Sequence, residues 1–174
     1  EDIDELFPKD KYFLFVAIGH AGLNKLRKYY CTRAIDKGYD LISYVSKNAT
    51  IDPNVEIGWN NFILDNVVIE PLATIGNSVF IWSGTIICHE STIMDYNYIA
   101  PNATVCGLST VQKFCFLGAN STISDYVNIA ELSLIGACRF ISKDTIPKNA
   151  YISNKKASIK LNNLSQHIKK VFYI

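Results

Sequence analysis

The chain has 174 residues, 49% of them apolar, and carries 17 Lys plus Arg against 16 Asp plus Glu. That length suits one ordinary domain, or one domain with a small appendage. The apolar content argues against disorder, and a net charge of +1 gives no support to a nucleic-acid or polybasic membrane partner. No apolar run approaches the roughly 20 residues needed to span a bilayer, and the start shows no signal-peptide pattern. The expectation is a cytoplasmic protein. The chain begins at Glu1 without a Met, so an upstream segment is expected.

In chain order, residues 1–44 open with a short acidic stretch, Glu1–Leu6. An apolar strand, Tyr12–Ile18, leads into a turn through Gly19 and Gly22. A helical stretch follows from Leu23 to about Asp36 and is stopped by Gly38, and Tyr39–Val45 is a second strand. This small α/β unit resembles half of a doubly wound nucleotide-binding domain whose first strand is missing.

From Val45 the sequence repeats every six residues: VSKNAT, IDPNVE, IGWNNF, ILDNVV, IEPLAT, IGNSVF, IWSGTI, ICHEST, IMDYNY, IAPNAT, VCGLST, VQKFCF, LGANST, ISDYVN, IAELSL, IGACRF, ISKDTI. All seventeen blocks begin with Ile, Val or Leu, residues that fill only 46 of 174 positions in the chain. Composition alone does not produce such a column. The fifth position is mostly small or short, as at Ala49, Val67, Ala73, Thr85, Ser91, Ala103, Ser109 and Ser121. A period of six fits neither an α-helix nor a hairpin meander. It fits a left-handed parallel β-helix over 45–146, in which each hexad is one short strand and one corner. Three hexads then close a triangular coil of 18 residues. The first residue of each hexad points inward, and the small fifth residue sits at the tight corner. At roughly 4.8 Å per layer the prism is roughly 27 Å tall, and such solenoids need caps at both ends.

After Pro147 the period fails, and residues 147–174 form the C-terminal cap. A short strand, Ala150–Ser153, and a helix around Leu161–Phe172 are expected there. Segment 143–174 holds seven lysines and one acid, Asp144. It reads either as a solvated basic helix or as a phosphate-attracting end on a neutral protein.

The five cysteines, Cys31, Cys88, Cys106, Cys115 and Cys138, form no CxxC pair. They read as reduced thiols filling a core, not as a metal site. Of three histidines only His89 lies in the repeat. It is the third residue of its hexad, so it should leave the aliphatic stack and point outward near a strand end. Eighteen residues per coil places Pro53, Pro71, His89, Gly107, Asp125 and Lys143 in one column. Gly107 then stacks beside His89 with its backbone N–H exposed, as suits an oxyanion or a thin ligand. Glu90 follows His89 at once and can fix the ring's tautomer.

ICHESTIMDYNYIAPNATVCG, followed by FCFLGANSTISDYVNIAELSLIGACRFISKD, resembles the hexapeptide acyltransferases. More narrowly, it is similar to the nucleotide-amino-sugar N-acetyltransferases of the bacillosamine and sialic-acid-acetyltransferase-like type, over roughly 40–157. The resemblance implies an N-acetyltransferase that moves acetyl from acetyl-CoA, its cosubstrate, to the amine of a nucleotide-linked amino sugar. It needs no metal, and it is a homotrimer with donor and acceptor meeting between neighbouring prisms. By the same resemblance His89 is the general base and Glu90 assists it. Gly107, Gly118 and Gly136 lie along the coenzyme groove, Gly107 offering its N–H to the thioester oxygen. Lys155 and Lys156 serve the far end of the coenzyme, and Gly19 and His20 belong to the acceptor side. A second family histidine, which contacts the acetyl donor, falls on Tyr98, so its role passes to a phenol. The usual Gly-x-Pro-Ala reads SNKKA at Ser153–Ala157. The family's first strand and glycine-rich loop are absent.

An imidazole, with an ordinary pKa of about 6.5, is mostly neutral at cytoplasmic pH and competent as a base. Other readings of the same prism are sugar O-acetylation and a non-catalytic scaffold. The scaffold reading needs a long threonine face, and the column of Thr74, Thr92 and Thr110 is interrupted by Glu56 and Asn128. A zinc-dependent β-helix needs three histidine ligands, and the coils offer one. Trp59, Trp82, Tyr96, Tyr98, Phe114 and Phe116 leave the aliphatic stack, and either serve contacts between copies or lie under the N-terminal unit.

Overall fold

Aliphatic side chains recurring every six residues are all buried together only if the backbone turns three times per eighteen residues around them. The structure, a computed structural model, describes residues 3–152 and the backbone of 159–160. It shows a parallel β-helix with three flat faces. The first face stacks Tyr44–Val45, Phe62–Ile63, Phe80–Ile81, Tyr98–Ile99, Phe116–Leu117, Leu134–Ile135 and Asn149–Tyr151. The second stacks Thr50–Ile51, Val68–Ile69, Ile86–Ile87, Thr104–Val105, Thr122–Ile123 and Phe140–Ile141. The third stacks Glu56–Ile57, Thr74–Ile75, Thr92–Ile93, Thr110–Val111 and Asn128–Ile129. Partners lie eighteen residues apart, as in Tyr98↔Phe116 and Ile86↔Thr104. The last coil is shorter, with Leu134↔Ala150, and Asn149 then pairs antiparallel with Lys160.

The first-position residues from Ile63 to Ile141 form one buried column inside the prism, joined by Val67, Ala73, Val79, Ala103, Cys115 and Val127 from the fifth position. The chain does not turn at the fifth residue, as the sequence pattern suggests, but at the fourth. Asn60, Asn66, Leu72, Ser78, Glu90, Tyr96, Asn102, Leu108, Phe114, Asn120, Tyr126, Leu132 and Cys138 all have φ between 54° and 61°. This left-handed backbone bends the chain and throws the fourth side chain outward. The fifth then points back into the wedge behind the corner, which is why it is small. Two fifth positions carry amides instead, Asn61 and Asn97, both fully buried. Asn61 donates to Gly58 O and Gly76 O and accepts from Val79 N–H. Asn97 donates to Met94 O and Val111 O and accepts from Cys115 N–H. Each amide thereby removes the desolvation cost of burying it.

The N-terminal unit lies on the first face. It holds α1 (Ile3–Leu6) and α2 (Lys25–Asp36). Leu23 and Asn24 have left-handed φ values of 48° and 64°, so the helix begins two residues later than its sequence pattern suggests. Both residues dock on the prism instead: Leu23 packs on Phe116 and Leu134, and Asn24 donates to Cys115 O. Gly38, at φ 85°, ends the helix. The two expected strands shrink to a single parallel bridge, Leu14↔Leu41. The cause is local: the Asn60 side chain accepts from Val16 N–H and donates to Val16 O, taking the groups that a longer ladder would use.

The outward aromatics of the first face lie mainly under this unit. Phe15 stacks on Phe80, Tyr96 stacks on Phe114, and the two latter rings bury Cys31 between prism and helix. Arg27, fully buried, joins the parts. Its guanidinium donates to Ile18 O, Gly19 O, Ser78 O, Asn97 O and Ser78 Oγ, and lies 4.1 Å from the Phe80 ring centroid. Burial lowers its pKa to about 10, so it stays charged at neutral pH. The thiols divide: Cys31 and Cys115 are buried, Cys88 and Cys106 half-buried, and Cys138 exposed, so two of the five fill a core. No helix among the described residues is long and apolar enough to cross a membrane. The expected helix 161–172 lies outside the described residues.

Candidate active site

His89 leaves the second face one residue before the corner at Glu90, whose φ is 56°. Its side chain is 53% exposed and that of Glu90 49%. The imidazole Nδ1 lies 3.2 Å from Glu90 Oε2. With the proton on Nδ1, donated to that carboxylate, the Nε2 lone pair is left free. Gly107 sits one coil further on, as the eighteen-residue column requires. A methyl group placed on Gly107 would lie 2.7 Å from both Cε1 and Nε2 of His89. Glycine is therefore what allows the ring to lie against this stretch of backbone. The Gly107 carbonyl accepts from Tyr126 N–H. Its own N–H has no hydrogen-bond partner among the described residues. An imidazole with one free nitrogen beside a free amide is an arrangement able to take a proton and stabilise a nearby oxyanion.

Two more carboxylates approach this corner. Glu70 Oε2 accepts from His89 N–H at 2.9 Å. Glu70 and Asp125 also bear on the thiols behind the ring: burial first, then these charges, push Cys88 up to about 11 and Cys106 above its ordinary value. Neither thiol is an available nucleophile at neutral pH. Among the described residues no group of three His, Cys, Asp or Glu side chains is placed to hold a metal ion.

The remaining candidates lie elsewhere on the prism. Tyr98 is on the first face, stacked on Phe116 at 5.3 Å, with the His20 ring edge-on to it at 4.9 Å. His20 thus meets Tyr98, on the face opposite the His89 corner. Burial, and then the nearby Arg27, hold the His20 pKa below the ordinary imidazole range. Gly118 and Gly136 stack on one another at the corner between the first and second faces. A methyl group on Gly118 would collide with Ala137 N, and one on Gly136 would meet Ile152 Cα at 3.1 Å. Close coil stacking already requires glycine at Gly118. Lys155 and Lys156 lie outside the described residues. Sequence reasoning missed Arg27, which fixes the Gly19–His20 turn, and Glu70. Glu70 had a signal, its place just before the proline of the His89 column.

A family model described as Bacterial transferase hexapeptide (six repeats) matches residues 72–107, the stretch that holds both His89 and Gly107. No curated protein matches the chain in sequence. Among solved structures, a mutant of perosamine N-acetyltransferase from Caulobacter crescentus, in complex with CoA and GDP-perosamine, superposes with a TM-score of 0.82 at 23% identity, covering 90% of this chain and 72% of that one. The acetyltransferase domain of PglB from Neisseria gonorrhoeae gives 0.84 at 16% identity, covering 90% and 75%. WeeI from Acinetobacter baumannii gives 0.74 at 18% identity, covering 78% and 66%. The chain therefore carries the bacterial-transferase hexapeptide repeat across its His89 corner and has the fold of these acetyltransferases.

Proposed function

We propose that the chain transfers acetyl from acetyl-CoA to the amine of a nucleotide-linked amino sugar, with His89 as general base. One observation carries this reading: the imidazole is held by Glu90 at Nδ1 and lies against a glycine whose N–H is free. As the amine nitrogen attacks the thioester carbon, its proton passes to Nε2 and the carbonyl oxygen gains negative charge. Gly107 N–H donates to that oxygen. Collapse of the tetrahedral adduct breaks the C–S bond, and the departing thiolate takes the proton from the imidazolium. Glu90 stabilises the imidazolium between the two steps. General-base assistance is worth about 10²–10⁴-fold, and one oxyanion donor about 10²–10³-fold.

In this reading Tyr98, Gly118, Gly136, Lys155 and Lys156 line the coenzyme, and Gly19 and His20 face the acceptor. In one chain Tyr98 and His20 occupy the face opposite the His89 corner. These residues and the His89 corner therefore meet only between neighbouring copies, which favours a homotrimer with shared sites.

The test is thiol release from acetyl-CoA across a panel of nucleotide amino sugars that includes GDP-perosamine, the ligand of the Caulobacter enzyme. Mass spectrometry of the product separates an amide from an ester. His89→Asn is expected to lower turnover by about 10²–10⁴-fold with the fold intact. Unchanged turnover would remove His89 from the chemistry.

A further inference from the structure

We infer that Glu70 is a positioning residue for His89, holding the main chain of the base while Glu90 holds its ring. The inference rests on the reading of His89 as the general base. Main-chain N–H groups at the third position of a hexad point out of the prism, beyond the reach of the coil-to-coil ladder, and bond only where a side chain comes within reach. At the corner between the third and first faces that side chain comes from the next coil. Trp59 N–H donates to Asn77 Oδ1 at 3.1 Å, and Asn77 N–H to Asp95 Oδ1 at 3.0 Å. The column of His89 cannot follow this rule. Pro53 and Pro71 have no N–H to satisfy, and the residue one coil beyond His89 is Gly107, which has no side chain to offer.

The missing acceptor is supplied from the coil before. Glu70 Oε2 accepts from His89 N–H at 2.9 Å. The stem of Glu70 is itself fixed, because its N–H donates to Ile87 O at 2.9 Å and Pro71 follows it. A carboxylate on a main-chain N–H is among the stronger hydrogen bonds available. It fixes the peptide plane entering His89 and so the direction of the Cα–Cβ bond. Glu90 then fixes rotation of the ring through Nδ1. With both set, the imidazole lies over Gly107, where a Cβ would lie within 2.7 Å. Occupying the His89 N–H also leaves Gly107 as the free main-chain donor beside the ring. The same carboxylate faces the Cys88 thiol, which burial and this charge keep protonated.

Three variants separate the hydrogen bond from the charge. Glu70→Gln keeps an acceptor at the same reach, Glu70→Ala removes it, and Glu70→Asp keeps the charge but falls one methylene short. The primary readout is the position of the Gly107 Hα resonances, which the ring current of the overlying imidazole displaces. Glu70→Ala and Glu70→Asp should move these resonances toward unstructured values. They should also slow thiol release from acetyl-CoA, with the best acceptor of the panel, by about 10–100-fold, the usual cost of losing a supporting contact. Glu70→Gln should leave both readouts close to the parent. If Glu70→Ala does not fold, Glu70→Asp reads the same loss. Gly107 resonances unmoved in both variants, or Glu70→Gln as damaged as Glu70→Ala, would overturn the assignment. His89→Asn run alongside keeps the two ideas apart. Full turnover in that variant removes His89 as the general base, whereas the resonance shifts judge Glu70 alone.

Discussion

The proposed transfer needs a base and an oxyanion donor within a few ångströms of each other, and at this corner a single missing Cβ sets the spacing of His89 and Gly107. Gly107→Ala would place a methyl carbon 2.7 Å from two ring atoms of His89. Real Cβ contacts do not reach that distance, so the ring has to swing away from the Gly107 amide. Gly107 has no left-handed φ, and alanine suits its backbone conformation. The variant should therefore fold with a thermal midpoint near the parent while kcat falls by about 10²-fold, the cost of a misplacement near 1 Å. Steady-state thiol release and a melting curve check the two halves. A variant with full turnover would mean that the ring need not lie against this glycine. This pair was legible in the sequence because residues eighteen apart stack wherever the hexad register holds, and no tertiary detail was needed to put His89 beside Gly107. Glu70 was harder to see, because its role depends on which N–H groups point out of the prism, a property of the corner geometry.

At the scale of elements, the period of six specified the three faces of the prism and its inward column but not the residue that turns each corner, whereas the N-terminal unit followed its local pattern only in part. Its helix was readable from the run between Gly22 and Gly38. Its strands were not, because side chains of the prism, Asn60 above all, took the backbone groups that strand propensity assigns to a sheet. Arg27 was invisible for a related reason: in a helix of low amphipathicity a cation reads as solvated, and only docking shows that it ends fully buried among four carbonyls. Arg27→Met should leave those acceptors unpaired. At about 1–3 kcal/mol for each buried orphan, partly offset by relaxation, the loss should reach about 3 kcal/mol. For a chain of this size that is a fall in thermal midpoint of roughly 6–12 °C, measured by thermal unfolding. A midpoint within 2 °C of the parent would argue that the turn is held by its other contacts. The His20 turn adds a pH dependence. Burial and Arg27 lower the folded-state pKa of His20, so between that value and about 6.5 the unfolded chain binds more protons than the folded one. Stability should then fall as the pH drops through this window, and His20→Gln should fall less. Equal slopes in the two proteins would remove His20 as the source.

On the scale of the whole molecule, the separation of candidate residues among faces becomes the informative feature. Fourth-position side chains point outward, and at the His89 corner that column reads Leu72, Glu90, Leu108 and Tyr126, with the three apolar members exposed. Ile86 and Phe140 add exposed apolar surface on the adjoining second face. The opposite face is already covered by the N-terminal unit. A row of exposed apolar side chains beside His89 is an unfavourable surface for a monomer and a natural seat for a second copy. The three-fold arrangement proposed above would bring the Tyr98 and His20 side of one prism toward the His89 corner of the next. Light scattering should then give a mass about three times the 19.5 kDa of the chain. Leu108→Glu, which sets a charge in that row without replacing His89 or Gly107, should shift the population toward monomer. Turnover should fall with the trimer fraction and recover as protein concentration rises, because mass action restores the assembly. If the parent is monomeric and fully active, the site is complete within one chain, and the distance between Tyr98 and His89 then removes Tyr98 from it.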